Sequence, residues 1–252
     1  MPQPSLLGRP LPRGVPHVWR CDPMSLAVAL VGRSEIVVAS DTLQILGDEG
    51  GYYRTECKKI RRVNQGRWAL AVAGTNVGND LLDRMEDDKY QFKDSFRLAS
   101  YDFADHMKQL YIQGGYTGAS FLLMCGVECG RPLMAEWSFP WQNGLAFPVA
   151  VATVGAKMHG ALHYAHAYHS PQMDTQQLIL LAYFCVSQAA RQDIRVGKPI
   201  DIAVVREGDV ECFSGKSLAD VEKRCDTIEG QLREAFLKPG PALAGLDPKP
   251  RS

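Results

Sequence analysis

Three residue types that together can activate a hydroxyl stand at the ends of short apolar runs in this sequence. Ser25 opens "SLAVALV" (25–31), Asp41 follows "EIVVAS" (35–40), and Lys58 and Lys59 lie in "CKKI" ahead of the next run. Only "GRSE" separates the first two runs, a hairpin-sized connection. If Gly32 pairs with Glu35, Ser25 falls opposite Thr42, beside Asp41. A slip of one residue sets Ser25 opposite Asp41, with both side chains on one face. In either register a hydroxyl at the start of one strand meets a carboxylate at the end of the next. A carboxylate ending an apolar strand needs a partner, and Lys58 or Lys59 supplies it. The trio is either a salt bridge on the rim of a sheet, worth little, or the charged surroundings of a reactive serine.

The elements that must hold these residues follow from the apolar spacing. "RWALAVAG" (67–74) is a third nearly continuous apolar run, the texture of strands covered on both faces. From Asn76 to Met85 and from Ser95 to Ile112 the spacing becomes helical, and Gly114-Gly115 stops the second helix. "ASFLLMCGV" and "PLMAEWS" around "ECGR" form another hairpin, and "FPVAVAT" (147–153) a further strand. Two helices follow at about 157–169 and 174–192, with Asp174 or Thr175 as N-cap of the second. "PIDIAVV" and "DVECF" give a last hairpin and 217–237 a last, polar helix. Hairpins alternating with paired helices predict an α+β fold, two stacked antiparallel sheets with helices outside both. The expected domain is 24–237, between a proline-rich leader (1–23) and a proline-rich tail (238–252), both expected to be disordered.

Composition narrows the function classes. Lys+Arg and Asp+Glu are 28 each, so there is no basic surplus to select nucleic acid or an anionic membrane. No apolar run reaches the roughly eighteen residues that span a bilayer. The start of the chain lacks the apolar core of a secretory signal, which leads to a cytoplasmic expectation. The seven cysteines are odd in number and scattered among apolar stretches, as buried free thiols are. Cys125 and Cys129 have no second pair to complete a zinc site. His159, His163, His166 and His169 form a stripe on one helix with no carboxylate or cysteine to complete a metal site. In an assembly that stripe would make a contact pH-sensitive. Trp137 and Trp141 flank "SFP" in a loop-like stretch and are expected at a surface or interface.

The segment from Ser25 to about Arg84 resembles the start of a proteasome β-type subunit or its bacterial two-ring relative, in the N-terminal nucleophile hydrolase superfamily. "SLAVALVGRSEIVVASDT", "CKKIRRV" and "WALAVAGTNVGNDLL" carry the resemblance, followed in order by "VAVATVG", a long helix ending "ARQD", and "VGKPIDIAVV". The resemblance implies a four-layer αββα sandwich. It also implies that Ser25 takes the place of the N-terminal threonine nucleophile, with its own α-amine as general base. Lys59, or Lys58 given the longer spacing from Asp41, would lower the pKa of that amine and hydroxyl, and Asp41 would hold the lysine. The Gly74 N–H would form the oxyanion hole, and Asp193 would orient the amine. Val72 and Cys57 would line the main specificity pocket and favour apolar side chains. No metal or organic cofactor is implied.

Departures from the pattern set the alternatives. Serine lacks the methyl that fixes the threonine rotamer. Leu43 stands where the family has an arginine, and Gly155 and Val196 where it has serines. Met24 replaces the glycine of a self-cleaving junction. Translation from Met24 followed by methionine removal would expose Ser25. A genuine propeptide is the second route, and a permanently blocked Ser25 the third. The expectation is a peptidase that assembles with copies of itself into rings or stacks and cleaves polypeptide, with an unfoldase as a further partner. The alternatives are an inactive structural subunit of the same fold and a small-molecule amide hydrolase.

Overall fold

The computed structural model describes residues 25–48, 51–140, 144–155 and 159–237. The leader, Met24, Trp141 and the tail lie outside them. The elements run β1 (Leu26–Val31), β2 (Ile36–Asp41), β3 (Leu43–Asp48), β4 (Gly51–Glu56), β5 (Ile60–Val63), β6 (Trp68–Gly74), α1 (Val77–Asp87) and α2 (Phe96–Gln113). They continue with β7 (Ser120–Glu128), β8 (Arg131–Phe139), β9 (Val151–Gly155), α3 (His159–Tyr168), α4 (Thr175–Gln192), β10 (Ile200–Arg206), β11 (Asp209–Phe213) and α5 (Ala219–Leu237).

Two antiparallel sheets result, ordered β11-β10-β2-β1-β9 and β5-β6-β7-β8, with β3-β4 as a separate ribbon. Strand alternation builds the layers. Leu26, Val28 and Leu30 of β1 join a core with α3, α4 and α5, while Ala27 and Ala29 face the other sheet. On β6, Trp68, Leu70 and Val72 pack on α1 and α2, and Ala69, Ala71 and Ala73 face back. On these two strands the larger side chains meet the helices and the alanines face the gap, which Ile36, Val38, Leu123 and Met134 of other strands help to fill. Both faces of each central strand are covered, which is why these runs show no polar alternation. The fold is the expected αββα sandwich.

The first hairpin takes the register in which Ala27 pairs with Ser40 and Val28 with Ala39. The Gly32 N–H donates to the Glu35 carbonyl at 2.8 Å. Of the two registers weighed from sequence, this one extends to Ser25 opposite Thr42.

Three expectations need correction. The chain between Asp41 and Trp68 holds three strands that apolar periodicity did not reveal. β3 and β4 pair only with each other, and in β5 only the end residues Ile60 and Val63 are buried. β9 begins at Val151 rather than 147, since the preceding stretch contains Pro148 and the exposed Val149. Trp137 lies in β8 with 3% exposure, edge-on to Phe103 at 5.4 Å, so it is a core residue rather than a surface one.

Candidate active site

The start of β1, the end of β2 and the end of β6 meet at one end of the sandwich. Continuing the β1 alternation one residue back turns Ser25 toward the gap between the sheets. There it lines a cleft with Lys59, Val72, Gly74, Cys57 and Asn79. Asp41 is fully buried and Lys59 is 3% exposed. The Lys59 Nζ donates to Asp41 Oδ2 at 2.8 Å and to the Leu43 carbonyl. The other carboxylate oxygen accepts the Leu26 N–H at 2.9 Å, and the Gly197 N–H lies 3.4 Å from Oδ2. Burial pushes the Asp41 carboxyl above its ordinary range, and the Lys59 ammonium and the two backbone N–H groups oppose that shift. A rim salt bridge is excluded by this burial. Lys59 is the lysine at the site, because Lys58 is exposed.

Asp41 therefore anchors two things at once, the lysine and the peptide N–H immediately after Ser25. The turn that carries Gly197 follows the end of α4. Asp174 caps that helix, accepting the Gln177 N–H at 2.8 Å, while the Gln177 side chain accepts the Asp174 N–H. At the other end, Asp193 begins the turn that carries Val196 and Gly197.

Asp193 is bound by Arg195, whose Nε and Nη2 reach its two carboxylate oxygens at 2.9 and 2.8 Å. Those bonds hold the Asp193 carboxyl below its usual range, against the effect of burial. A depressed carboxyl contributes stability above the unfolded-state pKa of about 3.9, and that contribution is lost as pH falls through the folded value. Thermal unfolding followed from pH 7 to pH 3 should show this loss, and Arg195→Ala should diminish it. An unchanged acid limb in Arg195→Ala would show that the pair adds nothing.

Gly74 ends β6 with φ +108°. A Cβ there would meet the Ala119 carbonyl oxygen at 2.6 Å, so glycine is required. Ser120 fixes the turn that follows. Its hydroxyl accepts the Gly78 N–H and donates to the Thr75 carbonyl, both at 3.0 Å. Sequence reading missed Ser120, although a fully buried hydroxyl inside an apolar strand was the available signal. It also missed Gln44, whose side chain donates to Asn76 Oδ1 at 2.8 Å and joins two walls of the cleft.

The departures have structural counterparts. Leu43 is buried, and a Cβ on Gly197 would meet its Cδ2 at 2.8 Å. Val196 packs in the helix-side core. Gly155, paired with Leu26, has φ +111°, and a Cβ would lie 2.1 Å from the Ser25 carbonyl oxygen. A serine hydroxyl has no room at Gly155 on this backbone. Gly155→Ala should therefore destabilise the fold by about 3 kcal/mol, from the left-handed backbone and the clash together. Denaturant titration measures this, and a loss below about 1 kcal/mol would contradict the packing described.

The remaining candidates stand apart. The His169 Nε2 lies 2.7 Å from the Val31 carbonyl oxygen, and His163 and His166 are exposed. No group of metal-ligating side chains occurs among the described residues. Cys125, Cys185 and Cys225 are buried, but Cys129 and Cys212 are exposed, so the expectation of buried thiols holds only in part. Burial raises the Cys57 thiol, with Lys59 opposing, which favours the protonated form beside the cleft.

Comparison with known proteins agrees with the fold. The Anbu (Gly-1) mutant from Hyphomicrobium sp. strain MC1 aligns with a TM-score of 0.72 at 16% identity, over 86% of this chain and 98% of that one. The helical assembly of the Anbu complex from Pseudomonas aeruginosa gives 0.72 at 13%, over 87% and 99%. Anbu (ancestral beta-subunit) from Yersinia bercovieri gives 0.70 at 12%, over 86% and 99%. At these identities the likeness is one of fold. No curated protein matches the chain. The proteasome subunit family model matches residues 25–205, from Ser25 into β10, and the chain belongs to that family.

Proposed function

We propose that the protein is a peptidase subunit that hydrolyses peptide bonds with Ser25 as its N-terminal nucleophile. The observation that carries this is the buried Asp41–Lys59 pair beside Ser25. A buried ion pair is poor value as a structural device, since apolar residues of similar volume often serve as well or better. Its position next to a hydroxyl fits a catalytic role.

In this reading the Ser25 Oγ adds to the substrate carbonyl carbon, and its proton passes to the Ser25 α-amine. The oxyanion sits at the Gly74 N–H. The C–N bond breaks as the α-ammonium protonates the leaving amine, which leaves an ester on Ser25. Water then adds to the ester, its proton goes to the α-amine, and the carboxylic acid departs with Ser25 restored. Lys59 supplies positive charge near the hydroxyl and amine, and Asp193 orients the amine. The helical assembly of the Pseudomonas aeruginosa Anbu complex supports self-association, and rings or stacks are the forms proposed. Action in the cytoplasm on polypeptide delivered by an unfoldase completes the proposal.

A second reading, an inactive structural subunit, is favoured by one observation. Neither Gly155 nor Val196 offers a hydroxyl to the terminal amine. Peptide hydrolysis by protein beginning at Ser25, compared with the same protein carrying an uncleavable extension ahead of it, separates the two. Cleavage only by the free form supports the peptidase. Absence of cleavage by both supports the structural subunit.

A further inference from the structure

In the proposed reaction, the residue whose carbonyl Ser25 attacks must send its side chain into the cleft lined by Ser25, Gly74, Val72, Gln44 and Cys57. That cleft has a volume of about 10 Å³, roughly the space that a single water needs. Two side-chain bridges keep it narrow. The Gln44 side chain on β3 donates across the cleft to Asn76 Oδ1 at 2.8 Å. The Asn79 Nδ2 reaches the Cys57 sulfur at 3.8 Å, a weaker link. Asn76 stands at the N-cap of α1, where an asparagine ordinarily accepts one of the first helical N–H groups. Among the described residues its side chain makes no such cap bond and holds Gln44 instead. β3 belongs to a ribbon that joins neither sheet, so side-chain bonds such as this one, rather than a ladder, hold that wall in place. The opposite wall gives no depth either. Val72 is seated against α1, where a Cβ on Gly78 would meet its Cγ1 at 2.5 Å.

We propose that this cleft selects substrates with glycine or alanine at the residue whose carbonyl is attacked, and that Gln44 is the specificity-determining residue that sets the limit. The inference rests on the peptidase reading. A hydrogen or a methyl group fits a space the size of one water. A leucine or phenylalanine side chain enters only if Gln44 and Asn76 part. The lost hydrogen bond and the crowding against Val72 then both count against the larger substrate. The apolar preference expected from Val72 and Cys57 thereby narrows to its smallest members. Gln44→Ala removes at least as many atoms from the wall as a leucine side chain carries beyond an alanine one. The variant should therefore admit what the wild type turns away.

The test uses three peptides that differ only at the residue before the scissile bond, which is Ala, Leu or Phe. They are offered to protein verified by mass to begin at Ser25, and to Gln44→Ala and Asn76→Ala in the same form. The wild type should cleave the Ala peptide with a kcat/KM at least about tenfold above the Leu and Phe peptides. Gln44→Ala should shift the Leu-to-Ala ratio at least about tenfold toward Leu. Asn76→Ala frees Gln44 without removing it and should shift the ratio the same way by less. If the wild type cleaves Leu or Phe as well as Ala, or if both variants keep the wild-type ratio, the specificity proposal fails while the peptidase reading stands. If no peptide is cleaved by any of the proteins, the peptidase reading fails and takes this proposal with it.

Discussion

Ser25→Ala is expected to lower the rate of peptide cleavage by at least about a thousandfold while leaving the thermal midpoint nearly unchanged. The substitution removes only the hydroxyl oxygen of a 3% exposed residue. Two of the bonds that hold this end of β1 do not involve that oxygen. The Leu26 N–H still reaches Asp41, and the Leu26 carbonyl still accepts the Ser40 hydroxyl at 3.0 Å. Ser25→Thr should retain activity, since the hydroxyl stays and the added methyl restricts its rotamer. Cleavage that persists in Ser25→Ala would assign the activity to another group or to a contaminant. Loss in both variants, with the fold intact, would show that the cleft tolerates serine alone.

Breaking the Asp41–Lys59 pair should have the largest effect on stability. Lys59→Ala leaves a carboxylate fully buried with only backbone N–H donors, and Asp41→Asn leaves an ammonium in the same place. Each should cost about 3–5 kcal/mol and abolish cleavage. The paired change Asp41→Leu with Lys59→Met removes both charges at similar volume and should recover most of the stability. It should not recover activity. That split distinguishes a catalytic charge from a structural one, because a purely structural pair would regain both or need neither. Lys58→Ala is the control and should behave like the wild type in stability and rate. Chemical denaturation and the peptide assay read both quantities.

Much of this site was legible in the sequence because its residues sit at ends of strongly patterned strands. Ser25 and Asp41 bound the first hairpin, whose short "GRSE" connection restricts the register to two choices. Lys59 was narrower than legible, because "KK" presents two adjacent lysines and only burial separates them. Asp193 came from the family resemblance alone, and its partner Arg195 from neither source, since two residues of a turn carry no period. The β3–β4 ribbon escaped for a related reason. It adds to neither sheet, and its sequence holds no continuous apolar run like those of the central strands. Gly155 was read as a missing serine. The structure shows a backbone approach that glycine alone permits, a fact about a neighbouring strand that no local pattern encodes.

The central claim is that Ser25 works as a free N-terminus, and intact mass with N-terminal sequencing of the protein from its native source tests it most directly. A chain beginning at Ser25 is the predicted result, because the α-amine then exists to take the proton from the hydroxyl. A chain beginning at Met1 or Pro2 would contradict the claim. It would leave no general base at Ser25, and the protein would then be a structural member of its family.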